Sequence, residues 1–369
     1  MIRAITLIVL LTTAIQLGNA DNNSERYRKQ CADIIAAKGQ SNSAERLWKL
    51  FDANWEYRMI ASPESATWRG YPGQNDRWSD LSMEALAVGK EDARLTLNTI
   101  LSVDRAELSE ADQLNYDLFR RNAEMDVERQ QFPAEFLVLN QMDGLPRDVP
   151  SMIAMMPGVR TKDYEDILAR LGGIPALVDQ TISLLREGLR RGIVPPKVPL
   201  RNVSDQVSGQ VHIGPMTSPM LSKFKKFPNT IPAAEQTRLT EAAKVIYSDE
   251  VRPAFKRLHA FLLNEYVPNC RTTVGRSALP DGRAWYDYQI KHYTTTTLSP
   301  DEIHNIGLRE VKRIRSEMET IRKQVGFEGD LHAFFEFLRT DPQFYYDTAD
   351  ELLAGYRDIC KRADPELTK

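Results

Sequence analysis

Residues Trp285–Met318 have the sequence WYDYQIKHYTTTTLSPDEIHNIGLREVKRIRSEM, the most informative stretch of the chain. Ser299 is a typical helix N-cap, Pro300 follows at the first helical position, and Glu302 stands where a capping box places an acid. Apolar side chains then recur at helical spacing. The stretch predicts a long helix after Ser299 in a mainly α-helical protein.

One face of this predicted helix is apolar, and a carboxylate lies within it. At about 100° per residue, Glu310 falls among the apolar positions. An unpaired buried carboxylate is costly, so we expect Glu310 to meet a cation, a donor, a metal or a wet cleft, or to be protonated. A polar cavity and an ion pair with an Arg of a neighbouring helix both satisfy this expectation. The face comprises Ile303, Ile306, Gly307, Val311, Ile314, Met318, Ile321 and Val325.

The residues before Ser299 favour a different local structure. Trp285–Thr297 is rich in aromatic and β-branched side chains, which suit a pleated, half-buried surface, so a small strand or hairpin is predicted there. Tyr293 and the run Thr294–Thr297 could form an edge strand that pairs with an extended peptide. A buried β-branched strand explains the same residues equally well.

Two positions in the first turns of the helix complete the candidate segment. His304 is placed to bond back to the threonine run or to meet a ligand, although a lone histidine is more often a satisfied, half-buried side chain. Gly307 is expected to permit the close approach of another backbone. The candidate substrate-facing residues are Tyr293, Thr294, Thr295, Thr296, His304 and Glu310.

This segment resembles the DUF885 proteins. The resemblance rests on the aromatic cluster, the threonine run, Ser299-Pro300-Asp301-Glu302, and then His304, Gly307, Leu308, Glu310 and Val311. It extends from about Arg46 to Lys369 and implies a mostly helical, exported protein similar to zinc metallopeptidases of the gluzincin type. In that family the metal motif, a His-Glu pair followed closely by Gly-His-His, lies downstream of the threonine run.

The metal motif of the family is missing from this sequence. The five histidines are followed by Ile, Ala, Tyr, Asn and Ala, so no His-Glu dipeptide occurs and no two histidines are spaced i, i+4. A helical zinc motif needs both ligands on one face with a base beside them. We therefore assign no catalytic and no metal-binding residue, and expect zinc only with a C-terminal part beyond Lys369.

The N terminus predicts export. Residues 1–20 combine Arg3, an apolar core from Ala4 to Leu17 and small residues before the expected cleavage site, as a signal peptide does. That core is too short to span a membrane, and no later stretch approaches the required length, so no membrane anchor is predicted after cleavage. The mature region, residues 21–369, is expected in the periplasm or outside the cell.

Composition excludes several other classes of function. With 48 basic and 51 acidic residues and a net charge of -3, the chain offers no electrostatic reason to bind nucleic acid or an anionic membrane. Cys31, Cys270 and Cys360 are too far apart for a disulfide scaffold, and core thiols are the favoured interpretation. The sequence is also compatible with one disulfide between two of these three cysteines.

Helical periodicity also dominates the remainder of the chain. A long helix is predicted from Thr161 onward, with a kink at Pro175. The turn-rich loop Trp68–Trp78 could line a pocket or fold back on its own domain. The whole is predicted to be a large multi-helix domain with a small β element, resembling the non-catalytic portion of a helical gluzincin-like metallopeptidase.

Two functions from different classes follow. The first is a portion of an exported zinc metallopeptidase-like protein, truncated before its metal motif and inactive as this chain. The second is a complete, non-catalytic, secreted helical protein that binds peptides. The helix stop at Asp364-Pro365-Glu366, with no polar tail after it, favours the first. The sequence does not define the oligomeric state.

Overall fold

The computed structural model describes residues 22–367, so the predicted signal peptide at 1–20 lies outside the described residues. Within that range the regular structure is helical, which confirms the mainly α fold class. β-type pairing is limited there to two isolated bridges, Lys38 with Ser41 and Pro196 with Arg271. No helix of the described part has both the length and the apolar character needed to cross a membrane.

The chain divides into two compact units, the first ending at His292 and the second beginning at Tyr293. Unit 1 opens with helix α1 over residues 22–36. Its further helices are α2 Ser43–Ala61, α3 Pro63–Arg69, α4 Met83–Leu101, α5 Glu110–Arg129, α6 Leu145–Met155, α7 Thr161–Gly172, α8 Ile174–Arg191, α9 Val203–His212, α10 Ala233–Ile246, α11 Arg252–Phe261, α12 Val267–Asn269 and α13 Gly282–Thr294, the last ending just inside unit 2.

Local capping explains where several of these helices begin and end. The side chains of Asn42, Ser82 and Ser109 each accept a hydrogen bond from the third backbone N–H of α2, α4 and α5, at 2.7, 3.2 and 3.2 Å. Gly192 ends α8 in the left-handed conformation that glycine adopts without strain. These signals are short-range, so the sequence alone determines them.

The core of unit 1 consists of three apolar clusters. The largest joins α6 to α11 through fully buried side chains such as Leu171, Val178 and Phe255. A second cluster holds α1, α2, α4 and α5 together around Leu47 and Ile100. The third lies where α5, α8 and α13 meet.

A buried arginine ties the loop that precedes α4 to the largest cluster. Arg170 is fully buried, and its guanidinium donates to the carbonyl oxygens of Arg77 and Gln74 and to Oγ1 of Thr67, each at 3.0 Å. It also lies 5.0 Å from the ring centroid of Trp78, whose indole N–H donates to the Arg170 carbonyl at 2.7 Å. Burial lowers the pKa of Arg170 to about 10. The loop is therefore fixed in position.

The predicted strand at Trp285–Thr297 is wrong, because helix α13 occupies Gly282–Thr294. Trp285 and Tyr288 are three residues apart, so both lie on the buried face of this helix. Trp285 stacks on Phe132 with the ring centroids 5.7 Å apart. Helical spacing of the aromatic side chains overrides their β propensity.

Unit 2 consists of α14 Pro300–Gln324, α15 Leu331–Thr340 and α16 Ala349–Ala363. A small aromatic cluster forms its core, in which Phe327, Phe334 and Phe337 contact one another at centroid distances of 5.1 to 6.3 Å. Of the three cysteines, Cys31 and Cys270 are buried thiols in unit 1, as predicted, whereas Cys360 on α16 is exposed. All three are free.

Candidate functional site

The threonine run forms an exposed turn between α13 and α14 rather than an edge strand. Thr294 is the last residue of α13, and Thr295 adopts a positive φ of 57°. The hydroxyl oxygens of Thr294 and Thr296 lie 2.8 Å apart. No strand forms at residues 293–297, so the edge to which an extended peptide would add is absent from the described structure.

The predicted capping box at the start of α14 is confirmed. The Ser299 hydroxyl accepts from the backbone N–H of Glu302 at 3.3 Å, and the Glu302 carboxylate accepts from the backbone N–H of Ser299 at 2.8 Å. The Ser299 hydroxyl also donates to the Glu302 carboxylate at 2.7 Å, and this bond, followed by the one from the Ser299 backbone N–H, lowers the pKa of Glu302. The register of α14 is therefore the one used to place His304 and Glu310.

Neither His304 nor Glu310 is enclosed in a cavity. Both are exposed, and the Glu310 side chain retains 50% of its accessible surface. Arg313, one turn further along the same helix, donates to Glu310 at 2.8 Å and to Glu317 at 2.7 Å. The expected burial of Glu310 is therefore wrong for this chain, and its cation comes from its own helix rather than from a neighbouring one.

The reason is that the apolar face of α14 is uncovered along its length. Gly307 on that face has no atom within 4 Å of the position a Cβ would occupy, so the expected close backbone approach is absent from the described structure. Exposed apolar residues also follow one side of α16. The α14 apolar face, with 37 to 62% exposure, comprises Ile306, Val311, Ile314, Met318, Ile321 and Val325; the α16 apolar face, with 45 to 62% exposure, comprises Leu352, Leu353, Tyr356 and Ile359.

The zinc centre that the family resemblance implies does not fit the residues present. Within residues 22–367, no group of three or more His, Cys, Asp and Glu side chains is arranged to hold a metal ion. All six candidate residues from the sequence lie between positions 293 and 310, on exposed surface. We derive no catalytic step from them.

Unit 1 contains a cleft of about 890 Å³ that sequence reasoning did not predict. It opens between α2, α4, α5 and α8, and Trp78 on the loop before α4 contributes to one wall. Much of its lining is apolar and comes from widely separated parts of the chain. Its apolar side chains include Ile60, Leu81, Leu86, Val88, Phe119, Phe132, Val138, Leu177 and Leu184.

Polar groups interrupt this apolar lining at defined points. Gln180 donates to Asp80 at 2.8 Å and accepts from the backbone N–H of Leu81 at 2.9 Å, which fixes one side of the cleft. The Gln130 amide donates to the Lys90 carbonyl at 2.9 Å, while its buried Oε1 atom has no hydrogen-bond partner in the described chain. Gln130 therefore retains an unused acceptor.

Charged side chains of both signs also line the cleft. Lys90 pairs with Glu135 at 2.6 Å. Asp126 and Arg129, one turn apart on α5, contribute to the lining and form no ion pair within residues 22–367. Glu84, Arg58 and Arg77 also line the cleft without an ion pair in that range, so the cleft presents charges of both signs to a ligand.

A buried carboxylate secures the end of the cleft formed by α1 and α2. Asp92 is fully buried and accepts from the Ser24 hydroxyl and from Arg28, both at 2.6 Å. Burial, followed by the charge of Asp92, raises the pKa of Tyr57, another lining residue. These contacts join α1 to α4, so this end of the cleft is rigid.

Only one signal in the sequence pointed to the cleft, namely the aromatic loop Trp68–Trp78. The structure separates its two ends, since Trp78 is buried at the cleft and Trp68 is exposed. The other lining residues extend from Asn23 to Leu184 with no common motif. Folding alone brings them together.

A family model described as "Bacterial protein of unknown function (DUF885)" matches residues 63–369. A crystal structure of a candidate lipoprotein from Colwellia psychrerythraea superposes with a TM-score of 0.77 at 20% identity, over 89% of this chain and 59% of that one. The chain thus spans less than two thirds of that protein, and the likeness concerns the fold. No curated protein is significantly similar to this sequence.

Proposed function

Because the chain belongs to the DUF885 family of bacterial proteins of unknown function, we propose that it is a portion of an exported zinc metallopeptidase-like protein. In this proposal the chain supplies the helical scaffold and a substrate-facing segment around Tyr293, Thr294–Thr296, His304 and Glu310. The zinc ligands and the general base belong to a further part of the same polypeptide. This chain by itself is then inactive.

The observation that carries the proposal is the exposed α14 apolar face. Burial of apolar surface contributes roughly 25 cal/mol per Å², and an extended exposed patch marks a surface that another element covers. This face directly follows the segment where the family resemblance is densest. The greater length of the structurally similar lipoprotein supports a covering segment. Glu310, in the middle of the face, would then lie where that segment meets α14.

The experiment begins with the nucleotide sequence after the codon for Lys369. We expect an in-frame His-Glu pair followed by Gly-His-His. The longer protein and the 369-residue chain are then purified, dialysed and analysed for zinc and for hydrolysis of a peptide mixture. One equivalent of zinc with hydrolysis is expected for the longer protein alone. A longer reading frame without the motif, or a longer protein without zinc, would contradict the proposal.

Export is proposed from the signal-like residues 1–20. It is tested by fractionating cells that express the chain and sequencing the N terminus of the exported material. We expect a start at or near Asp21. An intact Met1 in the periplasmic or extracellular fraction would contradict cleavage.

The alternative is a non-catalytic, secreted protein that binds peptides, and the unit 1 cleft favours it. The two candidates differ in the zinc content of the complete protein. Peptide binding without zinc in the longest polypeptide encoded would support the alternative. Zinc with hydrolysis would support the peptidase-like protein.

A further inference from the structure

We propose that the unit 1 cleft is a binding site for a short peptide with apolar side chains, separate from any zinc centre. The inference rests on unit 1 alone. It rests on the peptide-binding alternative proposed above, which it makes specific, and it does not depend on the zinc metallopeptidase-like function.

The dimensions of the cleft suit such a ligand. Its volume of about 890 Å³ lies within the range of roughly 300–1,000 Å³ typical of small-ligand sites. The apolar side chains of Leu86, Phe119 and Leu177 come from three different helices and surround the space. Apolar ligand side chains would gain free energy by leaving water there.

The orphaned acceptor of Gln130 indicates that the ligand carries N–H donors. A buried acceptor without a partner costs free energy, and a donor that reaches it removes this cost. Gln130 lines the cleft, and its amide donates to the Lys90 carbonyl while Oε1 has no partner among the described residues. A peptide backbone supplies N–H groups between apolar side chains, which a fatty acid or a hydrocarbon does not.

The charged residues agree with a peptide as well. Asp126 and Arg129 lie one turn apart on α5, and Glu84, Arg58 and Arg77 also line the cleft without an ion-pair partner in the described part of unit 1. A peptide with free ends carries a cationic amino group and an anionic carboxylate, and either end can meet an opposite charge in this lining.

The cleft is also held in shape before a ligand arrives. Arg170 fixes the loop that contains Trp78, and Gln180 fixes Asp80 and the backbone of Leu81. Asp92 joins α1 to α4. A preformed site loses less conformational freedom on binding, which favours affinity.

The first test measures binding of a tetrapeptide with the sequence Ala-Leu-Phe-Ala to the metal-free 369-residue chain by calorimetry. Saturable binding at one site per chain is expected. Ala85→Phe places a ring in the cleft and should weaken binding by about tenfold or more. Ala87→Phe, the same change on the same helix at an exposed position outside the cleft, should leave binding unchanged.

The second test addresses the Gln130 acceptor. Gln130→Leu should weaken binding by about tenfold, whereas Gln113→Leu should not. Gln113 is a matched control on α5, because its amide also donates to a backbone carbonyl, that of Leu108, away from the cleft. A tetrapeptide with N-methylated amides should bind as weakly to the native chain as the unmodified peptide does to Gln130→Leu.

The outcomes are unambiguous once far-ultraviolet circular dichroism shows that each variant is folded. The proposal is overturned if the tetrapeptide does not bind, or if Ala87→Phe and Ala85→Phe weaken binding equally. Equal binding of the N-methylated peptide would show that apolar area alone is recognised, and would overturn the peptide assignment. A variant that fails to fold is replaced by Ala93→Leu, a smaller change that also fills the cleft.

Discussion

At the scale of single residues, Arg170 shows how a buried guanidinium is held without an ion pair to a carboxylate in the described structure. Three acceptors surround its guanidinium, and the ring of Trp78 lies beside it. Removal of the arginine leaves two backbone carbonyls and a hydroxyl without donors in a buried place. Each such group costs about 1–3 kcal/mol.

We therefore expect Arg170→Leu to lower the free energy of unfolding by about 3 kcal/mol or more. Arg257→Leu is the control, because Arg257 and its partner Asp179 are both exposed, and its effect should stay within about 1 kcal/mol. Urea unfolding followed by circular dichroism measures both. Equal effects of the two substitutions would refute the role given to Arg170.

The stability that Asp163 contributes at the start of α7 depends on pH. Its carboxylate accepts from the backbone N–H groups of Val159 and Arg160, both at 2.9 Å. Burial would raise the pKa of Asp163, but these bonds and the Arg160 guanidinium hold it below its ordinary value of 3.8. A lowered pKa means that the folded state favours the ionised form. The stabilisation is complete above that ordinary value and is lost as the pH falls through the folded-state pKa.

Asp163→Asn should accordingly cost about 1 kcal/mol at pH 7. The difference in unfolding free energy between native chain and variant should shrink as the pH falls below about 4, because the Asp163 carboxylate of the unfolded chain takes up a proton before that of the folded chain does. Urea titrations at several pH values provide the measurement. A difference that stays constant down to about pH 2 would argue against this assignment.

Glu310, unlike Asp163, is an exposed carboxylate. Its partner Arg313 lies on the same exposed surface of α14. Glu310→Gln should therefore change the stability of the 369-residue chain by less than about 1 kcal/mol. Asp92→Asn, which alters a fully buried carboxylate, should cost about 2 kcal/mol or more. A large loss of stability from Glu310→Gln alone would instead support the buried environment that was predicted from the helical wheel.

At the scale of elements, the sequence predicted what local chemistry determines. The capping box that starts α14 was recognised from Ser299 and Glu302, and it forms; Thr348 and Glu351 form a second box of the same kind at the start of α16. Pro175 was expected to kink one long helix. The chain instead ends α7 at Gly172 and begins α8 at Ile174, which places Pro175 in the first turn, where its missing N–H costs nothing.

Elements that depend on distant contacts were predicted less well. The strand prediction at α13 weighed residue types and neglected the spacing of Trp285 and Tyr288, which both pack beside Phe132. The cleft was missed because its walls come from α2, α4, α5 and α8, and none of these helices carries a motif for binding. Glu310 was placed in the correct register, but the sequence could not show that the face around it is uncovered.

Gly307 offers a test of that uncovered face. In this chain Gly307→Ala meets no neighbour and should stabilise α14 by about 1 kcal/mol through helix propensity. Gly209→Ala in α9, equally unobstructed, is the control and should stabilise its own helix by a similar amount. Hydrogen exchange of the amides in each helix measures the gain. In the longer protein the gain at Gly307 should vanish or reverse if another backbone packs there.

At the scale of the whole molecule, the two units differ in how much apolar surface they bury. The cores of unit 1 are extensive, whereas unit 2 exposes apolar side chains on both α14 and α16. Cys360 lies on the exposed side of α16 and serves as a natural probe of that surface.

We expect one thiol of the native 369-residue chain to react rapidly with Ellman's reagent, and three after denaturation. Cys31 and Cys270 should be protected, because burial raises their pKa, that of Cys270 to about 12, and blocks access. Cys360→Ser should abolish the rapid phase, and Cys270→Ser should leave it intact. If a further part of the polypeptide covers α16, as proposed, Cys360 should react slowly in the protein that contains it, and rapid reaction there would show that α16 stays uncovered.

The three apolar cores of unit 1 have a consequence for synthesis. Every buried residue of these clusters lies at or before Tyr288. A growing chain therefore contains all it needs to complete them before any of unit 2 has been made. The apolar faces of α14 and α16 are synthesised later and remain exposed to solvent until another element packs on them. During that interval they are the natural target for a chaperone and the natural origin of aggregation.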